Sequence, residues 1–201
     1  MAIDPIPTIA TERLSLTPLT VADAAGMLDV YADQRMYLFT GGTPPSAMQL
    51  RQRFETLAQG WNHDRSEQWC NWIVRLHGRP HPIGAVQATV ADDLTRAAVA
   101  WEIGVSHQGQ GLASEASSAL VDWLLAAGVA RITATIHPDH LASAGVAARA
   151  GLTATDEIDD GEIVWHRHRD GEARADGARA DGARADGGRA DRGRADGAEP
   201  A

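Results

Sequence analysis

The sequence predicts an α/β fold of the α+β kind: a mixed central sheet of six to seven strands flanked by about four helices, in the order β-α-α-β-β-β-α-β-α-β-β. Three observations predict it. Short apolar runs bounded by Gly, Pro or Asp alternate with segments of helical spacing. Three of those runs follow one another in mid-chain, as in an antiparallel meander. A glycine-rich turn joins the third run to the longest helical segment. The 201-residue chain also changes composition near its end, dividing into a globular domain, residues 1-169, and a low-complexity tail, residues 170-201.

The first strand is expected from Leu14 to Leu19, where apolar and polar residues alternate. Thr20 then caps a helix with Asp23 three residues on, and Val21, Ala24, Ala25, Leu28 and Tyr31 recur at helical spacing. A second helix should start at Ser46, with Gln49 completing a capping box and Leu50, Phe54, Leu57 and Trp61 forming one face. The meander follows in Trp69 to Leu76, Ile83 to Val90 and Ala97 to Val105. A helix from Gly111 to Ala127 presents Leu112, Ala116, Leu120, Trp123 and Leu124 on one face and stops at Gly128. A short strand over Ile132 to Ile136, a helix from Ser143 to Ala150 ended by Gly151, and a hairpin turning at Asp160-Gly161 complete the order.

Composition narrows the function classes. No apolar run approaches the roughly 18 residues that span a bilayer, and no charged-then-apolar leader opens the chain, so a cytoplasmic protein without membrane partners is expected. The single cysteine, Cys70, cannot form an internal disulfide, and its place between Trp69 and Trp72 suits a buried, inert thiol. The net charge of −9 resides in the residues through Trp165, which disfavours nucleic acid and favours cationic partners such as amines. The tail repeats ADGAR without large apolar residues and with an Asp near each Arg; a solvated flexible segment is expected rather than an RNA-binding arm. The pairs His137/His140 and His166/His168 lack the carboxylate or thiol neighbours that would complete a metal set, and no metal is expected.

The glycine-rich turn, Gln108-Gly109-Gln110-Gly111-Leu112-Ala113-Ser114, carries the strongest functional signal. Two glycines permit a tight turn and close approach of a ligand, and the helix that follows offers unpaired N–H groups and the positive end of its dipole to an anion. No Lys or Arg lies between Trp101 and Arg131, so a phosphate held here would rest on backbone amides. A P-loop lysine is missing, and the dinucleotide fingerprint fails at Ser114, where it needs glycine. A plain strand-to-helix turn is the competing reading of the two glycines alone.

The run resembles the acyl-CoA pyrophosphate loop of the GNAT acetyltransferases, Q/R-x-x-G-x-G/A, and its continuation Ala113-Ser114-Glu115-Ala116 is similar to that of the RimJ/RimL branch. Thr11-Glu12-Arg13-Leu14, Ile83-Gly84, and HPDHLAS followed by ARAGL also resemble segments of that branch, over about residues 8–166. The resemblance implies the GNAT fold and an acetyl-CoA-dependent N-acetyltransferase acting on a primary amine, a protein N-terminus or a small molecule, by direct transfer in a ternary complex. It places Ile103, Gly104 and Val105 along the pantetheine arm, residues Gln108 to Ser114 at the pyrophosphate, and His140 and Ser143 beside the cofactor. Glu102, in mid-strand on the face opposite Trp101 and Ile103, is the candidate base, with a solvated strand residue or an ion pair as its competing reading. Ser143 is the candidate acid toward the CoA sulfur, and a helix N-cap would explain the same serine. Glu115 suits a capping or loop-bracing role.

This sequence departs from the branch at His140, where asparagine is usual, at Gly151-Leu152, where phenylalanine follows the glycine, and in having no tyrosine after Ser143 in its helix. A titrating His140 would make cofactor affinity depend on pH. The missing asparagine and tyrosine keep open an alternative, a catalytically weak module that binds or senses acyl-CoA. A homodimer is compatible with the sequence, which does not decide the oligomeric state.

Overall fold

The computed structural model describes residue 3 and residues 5–169; the repeat tail and its expected flexibility lie outside the described residues. Eight strands form one sheet in the order β1-β2-β3-β4-β5-β6-β8-β7. They are β1 (Ile9–Ala10), β2 (Leu14–Pro18), β3 (Glu67–Leu76), β4 (Pro82–Ala91), β5 (Arg96–Ile103), β6 (Arg131–Ile136), β7 (Thr153–Asp159) and β8 (Glu162–His168). The helices are α1 (Ala24–Tyr31), α2 (Ala47–Leu57), α3 (Leu112–Ala126) and α4 (Leu141–Arg149). The expected order of elements is observed, with one addition: β1, two residues long, extends the sheet by pairing with β2. Two residues carry too little alternation to be seen in the sequence.

Alternate residues of the central strands face two layers of helix. Trp72, Val74, Val86, Ala97, Val99 and Ile103 pack under α3 and α4 in the larger core, whereas Ile73 joins Met27, Tyr31, Leu50 and Phe54 beneath α1 and α2. Each fully buried Leu, Ile or Phe contributes about 1.5–3 kcal/mol relative to exposure. Trp72 is fully buried, meets Trp123 edge-on at 5.1 Å, and donates its Nε1–H to the Pro7 carbonyl at 2.7 Å, anchoring the amino-terminal segment. Cys70 is fully buried and burial pushes its thiol up to about 12, so it is an inert packing residue. Among the described residues, no helix is long and apolar enough to cross a membrane.

Local signals fared well where they were chemical. Ser46 and Gln49 cap α2 reciprocally, Ser46 Oγ accepting from the Gln49 N–H at 3.3 Å and Gln49 Oε1 accepting from the Ser46 N–H at 2.9 Å. Gly128 ends α3 at φ 100°, and Asp160 and Gly161 turn the last hairpin at φ 48° and 82°. Faces were less legible. Thr20 and Asp23 cap a 3-10 turn, Val21–Asp23, before α1 begins, which changes the phase of the helix. Its buried face is therefore Ala24, Met27, Val30 and Tyr31, while Ala25 is exposed and Val21 and Leu28 are half-buried. Trp61 is not on the α2 face, because the helix ends at Leu57 and Trp61 instead bridges to Gln68.

Gly84 fixes the spacing of β4 and β5. A Cβ at this position would come within 2.1 Å of the Glu102 carbonyl oxygen and 2.7 Å of the Ile103 side chain. The same close approach lets the Gly104 N–H donate to the Ile83 carbonyl at 2.9 Å.

Candidate active site

Among the described residues, six of the seven joins between neighbouring strands are antiparallel, and the join between β5 and β6 is parallel. It is formed by three residue pairs: Arg96 with Arg131, Ala97 with Ile132 and Ala98 with Thr133. Beyond them β5 continues to Ile103 and β6 to Ile136 without pairing to each other, so the sheet is split at the carboxyl ends of two parallel strands. Backbone donors and acceptors of Val99 and Trp101 on that side have no ladder partner, an arrangement suited to an extended ligand with amide groups. Open α/β sheets take ligands in such crevices.

The glycine-rich turn stands at the mouth of the split. After β5 the chain makes a 3-10 turn, Val105–His107, and Gly109 and Gly111 then take left-handed φ of 73° and 77°. Nothing lies within 4 Å of where a Gly109 Cβ would be. Gly111 caps α3, and the first intrahelical bond runs from the Glu115 N–H to the Gly111 carbonyl at 3.0 Å. The amides of Leu112, Ala113 and Ser114 precede it and have no intrahelical acceptor. These residues, with an open glycine cradle and a helix dipole, fit a pyrophosphate.

The loop is braced by a residue that sequence reasoning did not find. Arg13, one position before β2, donates from Nη1 to the Gln110 carbonyl at 3.0 Å and from Nε to Glu115 Oε2 at 2.6 Å. Glu115 Oε1 also accepts from the Arg13 N–H at 2.8 Å and from Thr11 Oγ1 at 2.5 Å. Burial opposes ionisation of Glu115, but these donors outweigh it and hold the carboxyl below its ordinary value. Glu115 is thus the expected loop brace, and its partners come from the TER segment. The loop is accordingly not free of cations, although none is nearby in sequence: a Cβ on Gly111 would lie 3.6 Å from Arg13 Nη2.

Gln108 occupies the turn differently from the expected ligand-facing residue. Its Nε2 donates to the Ile103 carbonyl at 2.8 Å and its backbone N–H to the Val105 carbonyl at 3.2 Å, so both donor groups tie the loop to the strand end. Gln110 Nε2 reaches the Ser106 carbonyl at 3.3 Å. Ile103 and Gly104 are buried and Val105 is half-buried where β5 leaves the sheet.

Glu102 points to the α1/α2 side, as its alternation with Trp101 and Ile103 requires. The buried Tyr31 hydroxyl of α1 donates to Glu102 Oε2, and Arg53 Nη2 of α2 stands 3.9 Å from the same oxygen. The Arg53 guanidinium also lies 5.6 Å from the Tyr31 ring centroid. Burial, and then the Glu102 charge, push the Tyr31 phenol well above its ordinary pKa, so it remains a proton donor to the carboxylate. Glu102 keeps 37% of its side chain exposed, which leaves an oxygen accessible.

Ser143 is on the other side of β5. Its Oγ accepts from Trp101 Nε1 at 3.1 Å, which connects the strand beside the split to α4. The competing N-cap reading is not observed. The chain turns at His137–His140, with the His140 N–H on the His137 carbonyl at 2.9 Å, so α4 starts at Leu141 and His140 is its N-cap. Ser143 is the third helical residue, and its hydroxyl retains a proton to donate. Glu102 and Ser143 therefore flank the split from opposite faces.

His140 stacks on Phe39 at 4.2 Å with the rings 16° apart, and Phe39 also meets His137 at 5.6 Å. Met36 Sδ in turn accepts from Gln108 Nε2 at 3.6 Å, so the segment after α1 touches both the glycine loop and the β6–α4 turn. Burial, then repulsion from His137, lowers the His140 pKa, so the ring is neutral at pH 7. No group of three or more metal-ligating side chains occurs among the described residues. A separate cavity of about 450 Å³, lined by Trp61, Arg65 and Trp69, lies near the opposite end of the strands, where Trp69 aligns with Thr89 and Ala98 rather than Glu102.

A sheet split between parallel strands, with a glycine turn and unpaired helix amides at its mouth and a carboxylate beside it, suits a transferase that receives an elongated acyl-carrier substrate. Residues 13–153 match the acetyltransferase (GNAT) domain family, and the chain belongs to that family, whose acetyl donor is acetyl-CoA. The structure is similar to an acetyltransferase from Agrobacterium tumefaciens, 27% identical with a TM-score of 0.65 over 84% of this chain and 98% of that one. It is also similar in fold to RimL, the ribosomal L7/L12 alpha-N-protein acetyltransferase in complex with coenzyme A, at 16% identity, TM-score 0.67, and 82% and 99% coverage. The ribosomal-protein-S5-alanine acetyltransferase from Vibrio fischeri gives 17% identity and a TM-score of 0.67 over 82% and 98%. No protein of curated function matches the sequence.

Proposed function

We propose that the protein acetylates a primary amine, on a protein N-terminus or a small molecule, by direct transfer within a ternary complex, with Glu102 as base and Ser143 as acid. Acetyl-CoA supplies the acetyl group as an activated thioester. The amides of Gly109 to Ser114 hold its pyrophosphate, with Gln108 bracing them. The edge of β5 through Ile103, Gly104 and Val105 aligns its amide-bearing arm, and the neutral His140 ring adds a hydrogen-bonding edge nearby.

Glu102 takes the proton that an ammonium must lose before its lone pair can attack. The Tyr31 hydrogen bond orients the carboxylate for that work. Ser143 donates its hydroxyl proton as the thiol departs, while the Trp101 indole fixes the oxygen in place. The observation that carries this reading is the placement of these two groups on either side of the split, each held by a neighbouring aromatic donor.

Glu102→Gln tests it. Turnover measured by release of free CoA thiol is expected to fall by about 100-fold or more, with the acetyl-CoA Kd by calorimetry unchanged. Unaltered turnover at every pH would remove Glu102 from the mechanism. Saturable CoA binding by the wild type without any acetylated amine would favour the sensing module instead.

A further inference from the structure

Arg53 stands where a substrate amine would be expected to find only negative charge. The protein is acidic overall, at −9, which draws in cations, yet a guanidinium stands 3.9 Å from Glu102 Oε2. Between Gln34 and Leu57, Arg35 is closed onto Asp33 at 2.6 Å and Arg51 onto Glu55 at 2.9 Å. Arg53 is not closed in this way. Its 3.9 Å approach to Glu102 exceeds hydrogen-bond length, the near oxygen already accepts from Tyr31, and the guanidinium makes no hydrogen bond among the described residues. The Tyr31 ring holds it from below, and 44% of the side chain is exposed. A planar fork of unused donors, fixed by a buried aromatic beside the base, is a receptor for a carboxylate.

Resting on the acetyltransferase reading above, we infer that the acceptor is a primary amine carrying a carboxylate within a few bonds, with the amine at Glu102 and the carboxylate on Arg53. The separation of the two side chains sets the reach. An amine about 3 Å from Glu102 and a carboxylate about 3 Å from Arg53 are satisfied together by an α- or β-amino acid or by a peptide whose first residue is acidic. Polycations such as polyamines are disfavoured, since a second ammonium would meet the guanidinium.

The test compares acceptors that differ only in that charge: L-alanine against L-alaninamide, and Asp-Ala-amide against Asn-Ala-amide, with spermidine as the polycation. The first pair reports free amino acids and the second reports chain N-termini. In at least one pair the carboxylate member is expected to have a kcat/KM tenfold or more above its carboxamide. Arg53→Gln should bring that ratio close to one and Arg53→Lys should retain part of it, both leaving the acetyl-CoA Kd by calorimetry within twofold. Equal or better use of the carboxamides, use of spermidine alone, transfer to none of these carboxylates, or a ratio indifferent to Arg53→Gln would overturn the inference. Absence of acetyl-CoA binding by the wild type would overturn the acetyltransferase reading itself, which keeps the two failures apart.

Discussion

Gly84→Ala places one methyl group where the structure has no room for it. The added Cβ would lie 2.1 Å from the Glu102 carbonyl oxygen, whereas such atoms essentially never approach within 3.0 Å. Relief requires β4 and β5 to part by nearly 1 Å, on a strand spacing of about 4.8 Å. That movement stretches the bond from the Gly104 N–H to the Ile83 carbonyl, now 2.9 Å, past useful length. Overpacking against backbone costs about 1–3 kcal/mol and a buried hydrogen bond left unmade about 1–3 kcal/mol more. A loss of about 3–4 kcal/mol is expected, a large share of the roughly 5–15 kcal/mol that holds a domain together. Urea unfolding followed by fluorescence of the six tryptophans gives the midpoint and slope. Gly109→Ala is the control, because its Cβ meets nothing within 4 Å and only the left-handed φ of 73° is penalised, at about 1–2 kcal/mol. A Gly84→Ala variant that loses less than about 1 kcal/mol, or less than the control, would refute the argument that this glycine sets the strand spacing.

Glu115→Gln removes the charge that Arg13 and Thr11 converge upon and should lower stability by about 1–2 kcal/mol, discounted for the half-exposed arginine, while weakening CoA binding in calorimetry. An unchanged CoA affinity would show that the brace does not shape the loop. The same carboxyl predicts an acid dependence. Its folded pKa lies below the ordinary value of 4.5, so the unfolded chain takes up the proton first. The contribution is complete above that ordinary value and is lost as pH falls through the folded one, a loss that Glu115→Gln should abolish in urea midpoints recorded across acid pH. Trp101→Phe deletes the donor to Ser143 and should lower turnover less than Ser143→Ala does, since the hydroxyl survives in the first variant; the reverse order in a thiol-release assay would contradict the acid role.

Order and caps were readable because they rest on neighbours in the chain. Ser46 with Gln49, Gly128 after α3 and Asp160-Gly161 each act within four residues, and each was found where its chemistry requires. The glycine turn was readable for the same reason. What escaped was tertiary. Arg13 reaches Glu115 across 102 positions, and no local pattern marks a guanidinium that braces a loop so far away. The phase of α1 escaped because a 3-10 turn of three residues winds the chain differently from an α-helix before the apolar stripe begins. Ser143 suggested a cap because serine favours that position, yet the His137–His140 turn starts the helix two residues earlier. Arg53 drew no notice in the sequence, where an arginine on a polar helix face is unexceptional. Its meaning depends on Tyr31 and Glu102 arriving from other elements.

The short seam between β5 and β6 has a mechanical consequence. Five strands lie on one side of it and three on the other, joined by a ladder of three residue pairs and, at its start, by the Ala130 N–H on the Leu94 carbonyl and the Arg131 N–H on the Thr95 carbonyl. Opening that seam requires breaking few ladder bonds, whereas separating β3 from β4 requires breaking a ladder nine registered pairs long. Hydrogen exchange should therefore resolve two cooperative units within one sheet, the hairpin side opening at lower free energy than the five-strand side. A ligand lodged in the split touches both units and adds its binding free energy to each. Loading the enzyme would then stiffen the whole sheet, and leaving it would return the two halves to independent motion.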